Sequence, residues 1–148
     1  CGEVRVACVG EPRSVSYCHC SICRRLSGAP FSCQAVFAGE QVQLSLEPGA
    51  SLQSTQTSRG VDRSRCASCL APVRATLLGG KLAAVPLGLI ATWRGGEAAS
   101  GGDELRPVHH MYYKDRVMDV RDGLPKYDGA VRPGPGKASS GLLPEADW

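Results

Sequence analysis

Val4, Val6 and Cys8 alternate with Arg5, Ala7 and Val9, the period-two rhythm of a strand, and Gly10-Glu11-Pro12 closes the run as a turn. Similar short runs recur along the chain. Ser14 to Tyr17 is an extended segment that delivers Cys18, Phe31 to Phe37 reads as a strand, and Val42, Leu44 and Leu46 alternate up to Pro48-Gly49. Gln53 to Ser58 reads as a polar strand returning toward Cys66. After Cys69, Val73 to Leu78, Leu82 to Ile90 and Val108 to Tyr113 each read as strands. The helical signal is brief: Ser21 caps a short helix through Cys23 to Leu26, which Gly28 and Pro30 stop. The pattern predicts a mainly β fold with little helix. Gly95 to Asp103 reads as a flexible loop, and beyond Tyr127 the Gly/Pro/Ser-rich composition predicts a disordered tail. The expected organisation is one domain over residues 1–128 and a tail over 129–148.

Composition narrows the function classes. The 148 residues are enough to bury about two thirds of the unfolded surface. Only eight of them are Phe, Tyr or Trp, so bound metal would help such a core, zinc ligation contributing on the order of 10 kcal/mol to folding. Net charge is +3 with acids and bases interspersed; no basic stripe argues for nucleic acid. The longest apolar run, Leu82 to Ala91, is too short to span a bilayer and contains Pro86. No signal peptide opens the sequence, so a soluble cytoplasmic protein is expected. In that setting the eight cysteines read as metal ligands or redox groups rather than structural bridges.

The chemistry concentrates in Cys18-His19-Cys20-Ser21-Ile22-Cys23. Thiolates at this spacing can converge on one zinc ion, whose Zn–S bonds of ~2.3 Å set the sulfurs about 3.7 Å apart. In an extended segment Cys18 and Cys20 share a side while His19 points away as a hydrogen-bond donor rather than a ligand. The turn after Cys20 brings Cys23 round, and no local fourth ligand is evident, so the metal would keep an open position. Arg24 and Arg25 follow directly. They either neutralise the site and hold a substrate carboxylate by bidentate hydrogen bonds, or point to solvent. Of His109 and His110, alternation turns one inward and one outward. Cys33 and Cys8 read as core residues. The Cys66-Ala67-Ser68-Cys69 pair lacks the βαβ surroundings of a thioredoxin-like redox motif.

Cys1-Gly2-Glu3-Val4-Arg5-Val6, Cys18 to Arg25 and Ser27-Gly28-Ala29-Pro30-Phe31 resemble the glutathione-dependent formaldehyde-activating enzyme (GFA) family, which includes the centromere protein V domain. Arg65 to Cys69 resembles its second cysteine knuckle, and Pro107 to Tyr112 and Asp122 to Tyr127 its closing segments. The resemblance implies a β-tent fold of packed antiparallel sheets with up to two zinc ions. By carry-over, Cys1, Cys66 and Cys69 hold a structural zinc, and Cys18, Cys20 and Cys23 form the second, catalytic site. His110 then faces that site with Arg24 and Arg25 as substrate-binding residues, or else is an ordinary satisfied strand histidine. The implied activity is that of a carbon–sulfur lyase, joining formaldehyde to glutathione as co-substrate. The alternative is a non-catalytic zinc-binding module that binds glutathione or a protein partner.

Three departures from the family pattern stand out. The usual cysteine ahead of Cys1 is absent, so a water, another side chain or an upstream residue would complete the structural site. Leu70 replaces the glycine after the second knuckle, where a leucine resists the positive φ such turns use. The tryptophan often found near Met118 is missing.

Overall fold

The computed structural model describes residues 1–90, 105–131 and 141–145. The fold is mainly β, as the alternation predicted. The chain divides into two compact units, the first built from Cys1–Arg13 and Ala35–Leu105, the second from Ser14–Gln34 and Arg106–Trp148.

In the first unit, β1 (Val4–Cys8) pairs antiparallel with β4 (Val42–Leu46), Val4 opposite Leu46 and Cys8 opposite Val42. The Gln41 side chain ties the end of this ribbon. Its Nε2 donates to the carbonyl of Val9 at 2.9 Å, and its Oε1 accepts from the amide of Ala38 at 2.9 Å. Gly39, in the short 3-10 turn Gly39–Gln41, lies so close to the next hairpin that a Cβ there would collide with the carbonyl of Gly80. A four-stranded meander follows: β5 (Leu52–Ser58), β6 (Val61–Cys66), β7 (Pro72–Leu77) and β8 (Leu82–Pro86), each antiparallel to the next. Small and β-branched residues (Val73, Ala75, Ala83, Ala84, Val85) are buried on β7 and β8. The pleated, alternating surface of such residues is what favours a sheet here.

Strand β3 (Ser32–Ala38) begins in the second unit and ends in the first, where Ala35, Phe37 and Ala38 are buried. Among the described residues, the second unit contains β2 (Ser14–Cys18), the one α-helix, α1 (Ser21–Ser27), and β9 (His110–Met111). β2 and β9 are parallel, Tyr17 opposite His110 and Cys18 opposite Met111. After β9, Tyr112 turns into the left-handed region at φ 55° and starts a 3-10 turn whose Tyr113 is fully buried. The amide of Val120 donates to the Tyr113 hydroxyl at 2.8 Å.

Several element boundaries differ from the sequence pattern. β6 was not expected as a separate strand, because Asp62, Arg63 and Arg65 interrupt any apolar alternation. The run from Leu82 stops at Pro86, and the Val108–Tyr113 strand contracts to two residues. Cys20, not Ser21, caps α1, its sulfur accepting from the amide of Cys23. Among the tail residues, Leu142 bridges to Tyr127, and the amide of Leu143 donates to the carbonyl of Lys126 at 2.8 Å. The Gly95–Asp103 loop and the rest of the tail, 132–140 and 146–148, lie outside the described residues. Among the described residues no helix is long and apolar enough to cross a membrane.

Candidate metal centres and a buried histidine relay

Two cysteine triads form, one in each unit, and all eight cysteines are free thiols. In the first unit the hairpin between β6 and β7 is the knuckle. The amide of Leu70 donates to the carbonyl of Cys66 and the amide of Cys66 to the carbonyl of Ala71, both at 3.0 Å, folding Cys69 back toward Cys66. Cys1, just ahead of β1, joins them, its sulfur 3.7 Å from that of Cys66. That separation is close to the ~3.7 Å that two thiolates on one tetrahedral zinc require. The amide of Ala71 is the largest influence on Cys69 and lowers its thiol pKa, favouring the thiolate a metal needs. Leu70 does adopt the positive φ its side chain resists, at 62°. Cys8, half-buried in β1, stays outside the cluster, and burial raises its pKa as befits a small core residue.

In the second unit Cys18 ends β2, Cys20 caps α1 and Cys23 lies in its first turn, with all three sulfurs within 4.8 Å of one another. Cys18 and Cys23 are buried and Cys20 half-buried. The amide of Cys23 donates to the Cys20 sulfur at 3.3 Å. The Cys18 thiol is pushed strongly up, first by hydrogen bonding to Cys20 and Cys23 and then by burial. Three sulfurs crowded out of water cannot all ionise without a cation between them. Both triads therefore fit a thiophilic divalent ion such as zinc, in spacing and in donor type.

Arg24 is partly buried and its Nε donates to the carbonyl of His19 at 3.0 Å, while Arg25 is exposed on α1. Cys33, expected in the core, is half-buried, its thiol pushed up to about 11 by burial, and it is not part of the triad.

The histidines are arranged differently from their sequence reading. Both His109 and His110 are buried, not one inward and one outward. His110 lies between two protein partners. Its Nδ1 is 2.8 Å from Nε2 of His19, and its Nε2 is 2.8 Å from Oδ2 of Asp122. Both ring nitrogens of His110 are thus engaged within the protein. Lys126, with no exposed side-chain surface, donates to Oδ1 of Asp122 at 3.0 Å and to the carbonyl of Leu124 at 3.1 Å. Tyr113 stands edge-on to His19 with ring centroids 4.9 Å apart, and Phe31 packs on His19 at 5.0 Å. Burial is the main influence on both rings of the pair and lowers their pKa, that of His19 to about 4. Desolvation alone would raise the pKa of Asp122, but hydrogen bonds from His110, Lys126 and the amide of Leu124 bring it below the ordinary carboxylate value. Among the described residues, buried Nδ1 of His19 meets no hydrogen-bond partner.

Little in the sequence marks this network, since a lysine ordinarily signals surface. The i, i+4 spacing of the two charges was the one available hint.

A family model described as glutathione-dependent formaldehyde-activating enzyme matches residues 1–115. No curated protein matches the chain. Among solved structures, a crystal structure of a Rhodobacter sphaeroides protein is similar at 18% identity, covering 70% of this chain and 91% of that chain, with a TM-score of 0.47. The family match takes in both cysteine triads and most of the strands, and the chain belongs to the glutathione-dependent formaldehyde-activating enzyme family.

Proposed function

We propose that the protein is a zinc-dependent carbon–sulfur lyase-type enzyme that acts on a small aldehyde and a thiol, with formaldehyde and glutathione as the pair to test first. The observation that carries this reading is the incomplete donor set of Cys18, Cys20 and Cys23. Among the described residues, no further Cys, His, Asp or Glu joins this cluster, nor that of Cys1, Cys66 and Cys69; the Cys18 triad is set apart by its two buried cysteines and by Arg24 and Arg25 following directly on it. Zinc bound there would supply an open, borderline-soft position that favours a fourth sulfur, as thiolate, over activation of water.

In the forward reaction the thiol sulfur bonds to the aldehyde carbon, the carbonyl π bond opens, and the thiol proton ends on the new hydroxyl. The reverse reaction breaks that carbon–sulfur bond. Arg24, fixed through its Nε on the His19 carbonyl, keeps its terminal nitrogens for a carboxylate of the thiol substrate, and exposed Arg25 offers a second guanidinium. Burial of Cys18 and Cys23 excludes water from the inner side of the triad.

The test is glutathione binding to zinc-loaded protein by calorimetry, followed by formation of the formaldehyde adduct. Cys20→Ser should weaken binding at least tenfold, and unchanged affinity would refute the reading. Arg24→Ala, which leaves the triad intact, should raise KM more than it lowers kcat. Binding without turnover would favour the zinc-stabilised binding module.

A further inference from the structure

The first triad draws its cysteines from segments far apart in sequence, Cys1 standing sixty-five residues ahead of Cys66. The knuckle sets Cys66 and Cys69 through its own backbone hydrogen bonds. The geometry of the site then depends on what holds the Cys1 arm, at the head of β1, against that knuckle. A direct hydrogen bond and a turn do so, and both run through Glu3.

The direct bond comes from Ser68, between Cys66 and Cys69, whose hydroxyl donates to Oε2 of Glu3 at 2.5 Å. The turn lies in the connection from β4 to β5, which touches both arms. The amide of Glu47 donates to the carbonyl of Glu3 at 2.9 Å, and the amide of Ala67 donates to the carbonyl of Ser51 at 3.0 Å. Between those points Glu47-Pro48-Gly49-Ala50 forms a β-turn, closed by the Ala50 amide on the Glu47 carbonyl at 2.9 Å. Proline presets the backbone at the second position of such a turn, and Gly49, at φ 83°, supplies the positive φ of the third. The connection is therefore stiff by sequence, with β1 at one end and the knuckle at the other. All of these residues belong to the first unit.

We propose that Glu3, Ser68 and the 47–50 turn form a clamp that sets the sulfurs of Cys1, Cys66 and Cys69 in place ahead of the metal. They are positioning residues for a thiophilic divalent ion at the first triad. The 3.7 Å separation of the Cys1 and Cys66 sulfurs is the distance that the clamp maintains. Glu3 is not in the cluster of atoms that could hold the ion, so its part is to hold the arm rather than to ligate. Preorganisation raises affinity because distant ligands are gathered during folding rather than at binding. The proposal concerns the first triad alone and does not rest on the thiol–aldehyde reading of the second.

The experiment is a chelator competition on the zinc-loaded chain, followed by NMR at amides that report each triad separately. The Leu70 amide reads the first site, and the Cys23 amide, bonded to the Cys20 sulfur, reads the second. Ser68→Ala should weaken zinc at the first site about tenfold, the lower end for losing an outer partner of a metal site, and leave the second unchanged. The double variant Glu3→Ala with Ser68→Ala should lose no more than Glu3→Ala alone, because both changes break the same bond. Glu3→Gln, which keeps an acceptor oxygen for Ser68, should retain most of the affinity. A contact that only stabilised the fold would not separate the two sites in this way.

Hydrogen exchange on metal-stripped wild type tests whether the clamp precedes the ion. The amides of Glu47 and Ala67 should stay protected, and exchange there at the rate of an unfolded chain overturns the proposal. Wild-type affinity in Ser68→Ala, losses that add in the double variant, or a Leu70 amide that ignores chelation of the wild type overturn it as well. Should Ser68→Ala not fold, the comparison of Glu3→Ala with Glu3→Gln decides: a loss confined to the alanine variant supports the clamp, and equal losses overturn it.

Discussion

The amide of Leu70 donates to the carbonyl of Cys66 at 3.0 Å while Leu70 itself is held at φ 62°, so the cysteine knuckle closes through a residue in a conformation its side chain disfavours. A leucine in the left-handed region costs roughly 1–2 kcal/mol, and its side chain is largely exposed, with little packing to offset that. Leu70→Gly should therefore stabilise the protein by about 0.5–1 kcal/mol, after allowing for the greater chain entropy of glycine when unfolded. Urea unfolding of the zinc-loaded protein checks this. A loss of stability would mean that the leucine side chain packs in a way its exposure does not suggest.

Asp122 holds the other end of the structure's most unusual ion pair, with a lysine that has no exposed side-chain surface. Removing the carboxylate takes the Asp122 charge away from buried Lys126, which keeps the Leu124 carbonyl among its partners. Asp122→Ala should cost about 3 kcal/mol, the lower end for breaking a buried pair. Asp122→Asn, which keeps an oxygen for Lys126, should cost clearly less. Equal losses in the two variants would contradict this account.

The buried histidines set the pH dependence. His19, His109 and His110 all have folded pKa values below the ordinary 6.5, each chiefly because burial disfavours the charged ring. The unfolded chain then binds more protons than the folded one as pH falls below about 6.5. The stability these neutral rings contribute is complete above that pH. It is lost progressively on acidification toward the folded values, for His19 down to about 4. NMR titration of the three rings should give midpoints below 6.5, and a midpoint at or above that value for any of them would reverse the sign for that ring.

How much of this was legible in the sequence depended on whether a residue faces a core. β1, β4 and β7 carry apolar residues on one face, and alternation locates each to within about one residue. β6 is held by polar cross-strand pairs, Ser54 with Ser64 and Arg65 with Gln53, so it has no apolar rhythm to read. The Cys18–Cys23 triad was legible from spacing, because a CxC followed by xxC can hardly avoid converging. The contribution of Cys1 and the knuckle came only through family likeness, since more than forty residues separate Cys23 from Cys66. The relay behind His19 was hidden because it joins residues ninety-one apart, and no local pattern marks such a contact.

The most direct test of the account is the zinc content of protein purified without chelators, read with a count of free thiols, for the wild type and for Cys20→Ser. Two zinc ions per wild-type chain, falling to one in the variant with the fold retained, is the predicted result. Metal-free protein with oxidised cysteines, or a second zinc that survives Cys20→Ser unchanged, would contradict it.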